Sequence, residues 1–452
     1  MSYKTYILII IFLALIIPPF LVGNITDFIS LYGVYIFIYS MTQMLMAHIN
    51  RAHVSSRYNT LPVSSLKYNI LVVGYREDPE IFLDCMKSVK ELSNSSKIQK
   101  IIVVIDGDSR DDYAMTRLFN KIFPTGDCIT GDVTDIPENR FICINQKHAG
   151  KRHVLYTGLR LSVKMKVFGV LCTDSDTKLD KDCLDALSIE LEASPDVGAV
   201  TGDVRITNSL DSLISFMSSI RYWFACNIER SYQSFNGNVL CVSGPLGVYR
   251  VSCISKFLDL WLNQKFMGSD CTYGDDRHLT NNILILGKKV KYTHLAKCNT
   301  DTPHELGVFF KQQTRWNKSS FREVLWTLRC LNNHSLMMGV DLIYQLFYSV
   351  IVIGSLCYIF IFGELITLLI YIGSVMLFNF IKGIYALYIT KKLKYLFYSL
   401  YGFVYISILI PSRLYAALTM ADTSWTISNN MHYYILGVWW SLLCAGLISA
   451  TI

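Results

Sequence analysis

Long apolar runs stand near both ends of this 452-residue chain, and a stretch of ordinary polar sequence separates them. Residues 6–22 are followed at once by a second run at 29–48, and apolar runs resume from Met338 onward. Only 17% of the residues are charged and 52% are hydrophobic, whereas roughly a quarter of the residues in a soluble domain are charged. This distribution predicts a membrane protein that carries a soluble insert.

The two N-terminal runs predict a transmembrane helical hairpin within residues 1–50. A signal peptide is the alternative for the first run, but no small-residue cleavage site follows it. Basic residues after the second run, among them Arg51, Arg57 and Lys67, predict that this end of the hairpin lies in the cytosol.

Residues 323–452 are predicted to form interfacial helices and transmembrane helices that enclose a channel. The apolar runs here are 338–362, 366–381, 395–419 and 434–452. Pro411-Ser412-Arg413 interrupts the third run, which favours an interfacial or re-entrant element over a full span.

The net charge of +7 does not by itself indicate nucleic-acid binding. Lys and Arg gather beside the apolar runs, as the positive-inside bias and attraction to anionic lipid headgroups predict. No basic-aromatic motif typical of nucleic-acid binding occurs in the sequence, so no nucleic-acid partner is expected. The thirteen cysteines lack metal-ligand spacing and are expected to be reduced thiols in the cytosol, without a zinc site.

Residues 67–322 alternate short β-branched runs with helical stretches, which predicts a parallel, doubly wound α/β domain inserted between transmembrane helices. In such sheets ligands bind beyond the carboxyl ends of the strands. The polar residues that follow each strand are therefore the candidates for a site. The predicted strands are 68–74, 101–105, 141–145, 167–172, 197–204 and 239–242.

Carboxylates follow two of these strands. Asp106 comes directly after the second predicted strand, in an Asp-Gly pair that is also common in solvated turns. Asp174 and Asp176 follow the fourth strand, and alternate residues of an extended segment face the same side. Mg²⁺ and Mn²⁺ are held by one or two carboxylates together with water and phosphate oxygens. A lone Asp-x-Asp is a weak signal, but its position after a buried strand predicts a site for a metal and a diphosphate.

Gly274-Asp275-Asp276-Arg277 opens a predicted helix over residues 278–286. Acidic residues at a helix start ordinarily cap the helix or interact with its dipole. The functional interpretation makes one of the two carboxylates a general base that deprotonates an acceptor hydroxyl.

Gln312-Gln313-Thr314-Arg315-Trp316 closes the soluble stretch. Arginine can hold a diphosphate through two hydrogen bonds, and tryptophan can stack on a sugar ring. An Arg-Trp pair just before a membrane segment is, taken alone, more often an interfacial anchor.

The order of these motifs resembles that of the processive family 2 glycosyltransferases, which include cellulose, chitin and hyaluronan synthases. The family pattern is D, DxD, [TG]-[ED]-D and QxxRW, and this chain has Asp106, Asp174-Ser175-Asp176, Gly274-Asp275-Asp276 and Gln312-x-x-Arg315-Trp316. Chitin synthases usually carry Glu-Asp-Arg and Gln-Arg-Arg-Arg-Trp at the last two places. The stretches that look like those of hyaluronan synthases are residues 74–79, 104–108, 150–152, 243–250, 271–277 and 313–316.

The resemblance implies nucleotide-binding roles for several side chains of this chain. Tyr75 and Glu77 would flank a uridine, and Asp106 would contact its base. Lys151 would contact the diphosphate. The carboxylates that would lie at the nucleotide and the metal are Asp174 and Asp176, with Asp176 as the metal ligand.

The resemblance also implies the residues that act on the acceptor. Asp276 would be the catalytic base. Gln312, Arg315 and Trp316 would bind substrate, with Arg315 supporting the leaving diphosphate and Trp316 lining the acceptor site at the channel mouth. Two cysteines that would lie near the site, or would simply be small buried thiols, are Cys241 and Cys271.

As a whole, the resemblance implies a GT-A-like cytosolic domain in a multi-pass plasma-membrane protein. The enzyme would add GlcNAc and GlcA alternately from UDP-GlcNAc and UDP-GlcA, with inversion and with Mg²⁺ or Mn²⁺. The growing polysaccharide would leave through the membrane helices. The alternatives are a chitin-type synthase that polymerises GlcNAc alone and a non-catalytic membrane relative, against which the complete acidic set argues.

The last part of the chain departs from the hyaluronan synthase pattern. The family has a loop near the channel with a Trp-Gly/Asp-Thr-Arg/Ser pattern, and the nearest segment here, residues 423–428, keeps only Trp425. This difference argues against a contact between that loop and the diphosphate. The sequence also ends at Ile452, which predicts one membrane span fewer after the loop than eukaryotic members have.

Overall fold

The computed structural model describes residues 25–61, 64–423 and 430–451. The first predicted span and the segment around Trp425 lie outside these residues. The chain divides into two compact units. Among the described residues, we call those within 47–208 and 225–302 the α/β unit, and those within 25–46, 209–224 and from 303 onward the helical unit. The predicted domain boundary at residue 322 stays a prediction.

A nine-stranded sheet forms the centre of the α/β unit, in the order β3-β4-β2-β1-β5-β8-β7-β11-β6, and β9 and β10 form a separate hairpin. The strands are β1 Tyr68–Gly74, β2 Ile98–Asp106, β3 Asp127–Thr130, β4 Phe141–Gln146, β5 Gly169–Asp174, β6 Lys178–Leu179, β7 Val197–Ile206, β8 Gly247–Arg250, β9 Lys265–Phe266, β10 Ser269–Asp270 and β11 Lys289–Thr300.

The helices, numbered along the chain, connect these strands and build the helical unit. Their bounds are α1 Ile25–Thr60, α2 Pro79–Leu92, α3 Tyr113–Ile122, α4 Lys151–Lys164, α5 Cys183–Glu192, α6 Leu213–Phe224, α7 Ser231–Phe235, α8 Val251–Ile254, α9 Leu258–Leu262, α10 Asp275–Ile285, α11 Leu306–Cys330, α12 Leu336–Phe362, α13 Leu365–Thr390, α14 Tyr401–Val404, α15 Ile410–Leu418 and α16 Met431–Ser449.

The predicted α/β domain between apolar helices is confirmed, but its sheet is mixed rather than purely parallel. Strands β1, β2, β4 and β5 run parallel, and their near-continuous burial on both faces explains their apolar runs. Strand β8 runs antiparallel to both β5 and β7, with Gly247 opposite Cys172. Because β8 begins at the carboxyl end of β5, the residues just before it lie at the ligand-binding edge of the sheet.

The predicted strand at residues 239–242 is wrong. The structure has no strand there, and Asn238, just before this segment, forms an isolated bridge to Val290. The Val239 N–H still donates to the Val290 carbonyl of β11. Beyond it, side chains accept the backbone donors, since Leu240 N–H donates to Gln233 Oε1 and Val242 N–H donates to Thr280 Oγ1. Backbone N–H groups that already donate to side chains cannot also form the hydrogen bonds of a strand pair.

Among the described residues, four helical segments are long and apolar enough to cross a membrane: Leu336–Phe362, Leu365–Thr390, Leu393–Leu418 and Met431–Ser449. The second N-terminal run lies within α1, which continues to Thr60. Val352, Leu356, Leu368 and Ile410 belong to one buried cluster that joins α12, α13 and α15.

Pro411 does not interrupt the third C-terminal run, contrary to expectation. It stands in the first turn of α15, where a missing N–H is tolerated. A π-helical turn at Tyr405–Leu409 precedes it and keeps the segment helical. Whether this segment is interfacial or spans the membrane stays a prediction.

Candidate active site

The carboxyl ends of β2, β1 and β5 lie side by side, and the predicted nucleotide residues follow them. Gly74 pairs with Ile105, and Val73 pairs with Asp174. Asp106 and Tyr75 therefore emerge from the same edge of the sheet as Asp174. In a parallel sheet this edge is where ligands bind.

A cavity at this edge brings together three of the residues singled out from the sequence, namely Lys151, Asp174 and Asp276. Ser243 and Gly244 close another side because β8 starts there. The remaining lining residues are Leu155, Cys172, Thr173, Tyr249, Asp275 and Leu279.

Lys151 and Asp174 form an ion pair inside this cavity, with 2.6 Å between Lys151 Nζ and Asp174 Oδ1. Lys151 is the first residue of α4, and the side chains of the pair keep 29% and 22% of their surface exposed. Burial lowers the pKa of Lys151, but Asp174, Asp275 and Asp276 together raise that pKa above its usual value. The lysine is therefore a fixed positive charge that remains accessible to an anionic ligand.

Asp276 stands in the first turn of α10, which begins after Gly274 in a left-handed conformation (φ 82°). The Arg277 N–H donates to its Oδ1 at 2.7 Å, and the Cys241 thiol donates to its Oδ2 at 3.5 Å. Burial raises the pKa of Asp276, and the charge of Asp275 raises that pKa further, while Lys151 and Arg277 oppose the shift. A carboxylate with a raised pKa in a cavity has the properties of a general base.

Trp261, which was not singled out from the sequence, contacts both the start of α4 and the start of α10. Its indole N–H donates to the Asp275 carbonyl at 3.1 Å, and its own carbonyl accepts from the buried Arg152 guanidinium. That guanidinium also lies 5.3 Å from the centre of the indole ring. Because Arg152 follows Lys151 directly, these contacts fix the start of α4 against the start of α10.

Three carboxylates stand near the end of β5, and their charge exceeds that of the single lysine. Burial raises the pKa of Asp176 to about 6, with further contributions from Asp174 and Glu77. Ser175 Oγ donates to Glu77 Oε2 at 3.0 Å, which holds the glutamate over the Asp-x-Asp turn.

Within the described part of the chain, no three His, Cys, Asp or Glu side chains converge in a way that would hold a metal ion unaided. Mg²⁺ needs only one or two protein carboxylates when phosphate oxygens complete its coordination. The excess negative charge at Asp174 and Asp176 fits a divalent cation that arrives with a diphosphate.

Asp106 organises the loop before Lys151. Its carboxylate accepts the backbone N–H groups of Ala149 and Gly150 at 2.9–3.1 Å, and His148 Nδ1 lies 3.0 Å from its Oδ2. The imidazole of His148 stacks on the Tyr75 ring at a centroid distance of 4.7 Å. His148 was not predicted from the sequence because a single histidine after a strand carries no spacing signal.

Gln312, Arg315 and Trp316 lie on α11, in the helical unit. A spacing of three and four residues places them on one face of that helix. Trp316 keeps 42% of its surface exposed, and its ring packs edge-on against Tyr222 at 6.3 Å. The side-chain oxygen of Gln312 is buried without a hydrogen-bond partner.

The chain is similar to known polysaccharide synthases over most of its length. A family model described as chitin synthase matches residues 161–432. Hyaluronan synthase 2 of Rattus norvegicus and that of Homo sapiens are each 35% identical over 450 residues, which cover 93% of this chain and 81% of the relative. Hyaluronan synthase 3 of Xenopus laevis is 34% identical over 445 residues, or 93% of this chain and 79% of the relative.

A solved structure, the mannosyltransferase PcManGT from Pyrobaculum calidifontis in complex with GDP-Man and Mn²⁺, is 14% identical with a TM-score of 0.49. It covers 83% of this chain and 98% of its own, a likeness too low to bear on function. The identity to the vertebrate synthases extends over most of both chains. The chain therefore belongs to the hyaluronan synthase family and is a glycosyltransferase with membrane helices.

Proposed function

We propose that the chain polymerises hyaluronan by alternating transfer of GlcNAc and GlcA from UDP-GlcNAc and UDP-GlcA. The observation that carries this proposal is the convergence of Lys151, Asp174 and Asp276 on one cavity at the carboxyl edge of the sheet. A cation for the diphosphate and a base for the acceptor are the two functions that a sugar transfer requires at close range.

Asp276 acts as the general base in this proposal. An acceptor hydroxyl attacks the anomeric carbon in line with the departing UDP, and Asp276 takes the hydroxyl proton. The raised pKa of Asp276 improves its match to that proton. No carboxylate acts as a nucleophile in this proposal, so the transfer is a single displacement, which inverts the anomeric centre and gives a β-linkage from an α-donor.

Lys151 stabilises the diphosphate of the leaving UDP. In the described structure its ammonium group neutralises Asp174. A diphosphate that enters the cavity offers a stronger negative charge, and the ammonium group binds it there. Arg315 supports the same leaving group in this proposal, and Trp316 and Gln312 bind the acceptor sugar, as the family motif implies.

Asp176, together with Asp174, holds Mg²⁺ or Mn²⁺ in this proposal, and Glu77 contributes negative charge nearby. The metal, when bound, neutralises charge on the diphosphate. Tyr75, Glu77 and Asp106 bind the uridine. Tyr75 supplies a half-exposed aromatic face to it, and Asp106 holds the adjoining loop in shape.

The catalytic domain lies in the cytosol and the protein in the plasma membrane in this proposal, with membrane lipids around the apolar helices. The four apolar segments among the described residues would provide the route by which the growing polysaccharide leaves. The basic residues after the second N-terminal run support the cytosolic orientation.

A chitin-type synthase is the second candidate, and the match of residues 161–432 to the chitin synthase model favours it. Membranes that contain the full chain, incubated with each UDP sugar alone and with both, separate the two candidates. We expect polymer only when both donors are present, and we expect hyaluronidase to digest it. Polymer from UDP-GlcNAc alone that resists hyaluronidase would favour the second candidate.

A further inference from the structure

Two cysteines lie next to each other at the edge of the sheet. Cys128 on β3 is the register partner of Cys143 on the parallel strand β4. Adjacent strands are about 4.7–4.9 Å apart, and the Cα atoms of a disulfide are usually about 4.4–6.8 Å apart. The two backbones are therefore already within the distance that a disulfide requires.

Both thiols face the same side of the sheet, toward α3. The Cys128 thiol donates to Asn120 Oδ1 at 3.1 Å, and Cys143 interacts with the side chain of Thr116. Thr116 and Asn120 are four residues apart in one helix and so lie on the same face of it. Two independent neighbours thus place the sulfur atoms side by side, in agreement with the side-chain contact between the cysteines.

The two thiols differ in their exposure to solvent. Strand β3 is the edge strand of the sheet and Cys128 is exposed, whereas Cys143 is fully buried. The contact with the Cys143 thiol lowers the pKa of Cys128 to about 7, with burial opposing the shift. Cys128 therefore ionises more readily than an ordinary thiol, and the thiolate is the reactive form.

We propose that Cys128 and Cys143 form a redox site that a hydroperoxide converts to a disulfide. The Cys128 thiolate attacks the distal oxygen of the hydroperoxide, the O–O bond breaks, and an alcohol or water leaves after protonation. Cys128 becomes a sulfenic acid. The Cys143 sulfur then displaces its hydroxyl as water, forming the S–S bond. Two thiols are oxidised by two electrons and one hydroperoxide is reduced.

Peptide mapping of the purified full-length protein tests this proposal. The protein is treated with a small excess of hydrogen peroxide, its remaining thiols are alkylated under denaturing conditions, and it is digested without reduction. We expect a cross-linked peptide pair that contains Cys128 and Cys143 and that disappears on reduction. Recovery of both cysteines in alkylated form, or of Cys128 linked to any other cysteine, contradicts the proposal.

Single substitutions separate the attacking role of Cys128 from the resolving role of Cys143. In Cys143→Ser, the hydroxyl keeps a hydrogen-bond donor beside Cys128 but cannot form a disulfide with it, so dimedone should label the sulfenic acid on Cys128 several-fold more than in the unsubstituted protein. In Cys128→Ser, Cys143 should remain reduced under the same treatment. Cys253→Ser, another buried cysteine of the α/β unit, is the matched control and should leave the cross-link unchanged. Equal dimedone labelling of Cys128 with and without Cys143 would overturn the resolving role of Cys143.

Discussion

The ammonium group of Lys151 lies 2.6 Å from a carboxylate oxygen of Asp174, and the backbone of Gly244 approaches this pair closely. A Cβ atom at position 244 would lie 3.0 Å from Asp174 Oδ2 and 3.3 Å from Lys151 Nζ. The Ser-Gly-Pro sequence before β8 thus leaves the ion pair accessible at the point where we propose that the diphosphate binds.

Gly244→Ala should therefore weaken donor binding without unfolding the protein. Charge-assisted interactions contribute roughly 1.5–3 kcal/mol each, and a partial loss predicts a rise in KM for both UDP sugars of up to roughly tenfold. Steady-state kinetics on the purified variant provide the measurement. Gly354→Ala is the control, since a Cβ there meets nothing within 4 Å. Unchanged KM values in Gly244→Ala would show that the diphosphate binds elsewhere.

Asp276→Asn should abolish polymer synthesis while UDP binding persists. Removal of a general base typically lowers the rate by roughly 10²- to 10⁴-fold, whereas the amide keeps the shape of the carboxylate. Polymer yield and calorimetric UDP affinity are the two readouts. Asp270→Asn, at an exposed carboxylate with 79% side-chain accessibility, should retain full activity. Substantial synthesis by the Asp276 variant is incompatible with its role as base.

The acid limb of the pH–rate profile should report the raised pKa of Asp276. The base must be ionised, so activity is lost as pH falls through this pKa. Asp275 raises the pKa of Asp276 and Lys151 lowers it. Asp275→Asn should therefore move the acid limb to lower pH, and Lys151→Met should move it to higher pH. Profiles of kcat against pH at saturating donor check both signs, and shifts in the same direction would refute the assignment.

Metal binding should depend on pH through Asp176, whose pKa is raised to about 6. A carboxylate ligand must be deprotonated, so affinity for Mn²⁺ should increase as pH rises through this value. Titration of the protein with Mn²⁺ in the presence of UDP, monitored by electron paramagnetic resonance, gives the affinity at each pH. Asp176→Asn should bind Mn²⁺ weakly at every pH. An affinity that is independent of pH in the unsubstituted protein would exclude Asp176 as the titrating ligand.

His148 should contribute to UDP affinity through its stacking on Tyr75. Aromatic pairs contribute about 0.5–1.5 kcal/mol, so His148→Ala should weaken UDP binding roughly two- to tenfold. His148→Phe keeps the ring but loses the contact of Nδ1 with Asp106, and its UDP affinity should be intermediate. Calorimetry with UDP provides the values. Identical affinities for all three proteins would show that this stack lies outside the nucleotide site.

The sequence predicted the central strands well because burial on both faces leaves a clear apolar run, as in β1. Strand β11 was missed because Lys289, Lys291 and Lys297 break up its apolar residues. Strand β8 was missed because it has only four residues and lies inside a stretch that was considered only for its resemblance to hyaluronan synthases. Its antiparallel direction depends on the path of the preceding loop, which no local pattern encodes.

The order of the sequence motifs predicted which acidic and basic residues belong to the candidate site. Lys151, Asp174 and Asp276 are far apart in sequence but line one cavity, and the roles that the resemblance implies for them stay predictions. Trp261 could not be predicted, because its contribution is a hydrogen bond to a backbone carbonyl at the start of α10. The pairing of Cys128 with its partner likewise depends on strand register, which the sequence does not state.

The stoichiometry of incorporation tests the proposed alternating synthesis most directly. Purified protein is supplied with UDP-GlcNAc and UDP-GlcA that carry different radiolabels, and the high-molecular-weight product is collected before and after hyaluronidase digestion. We predict that the two labels enter the polymer in equal molar amounts and are released together by hyaluronidase. A polymer that contains the GlcNAc label alone and survives the digestion would contradict hyaluronan synthesis by this chain.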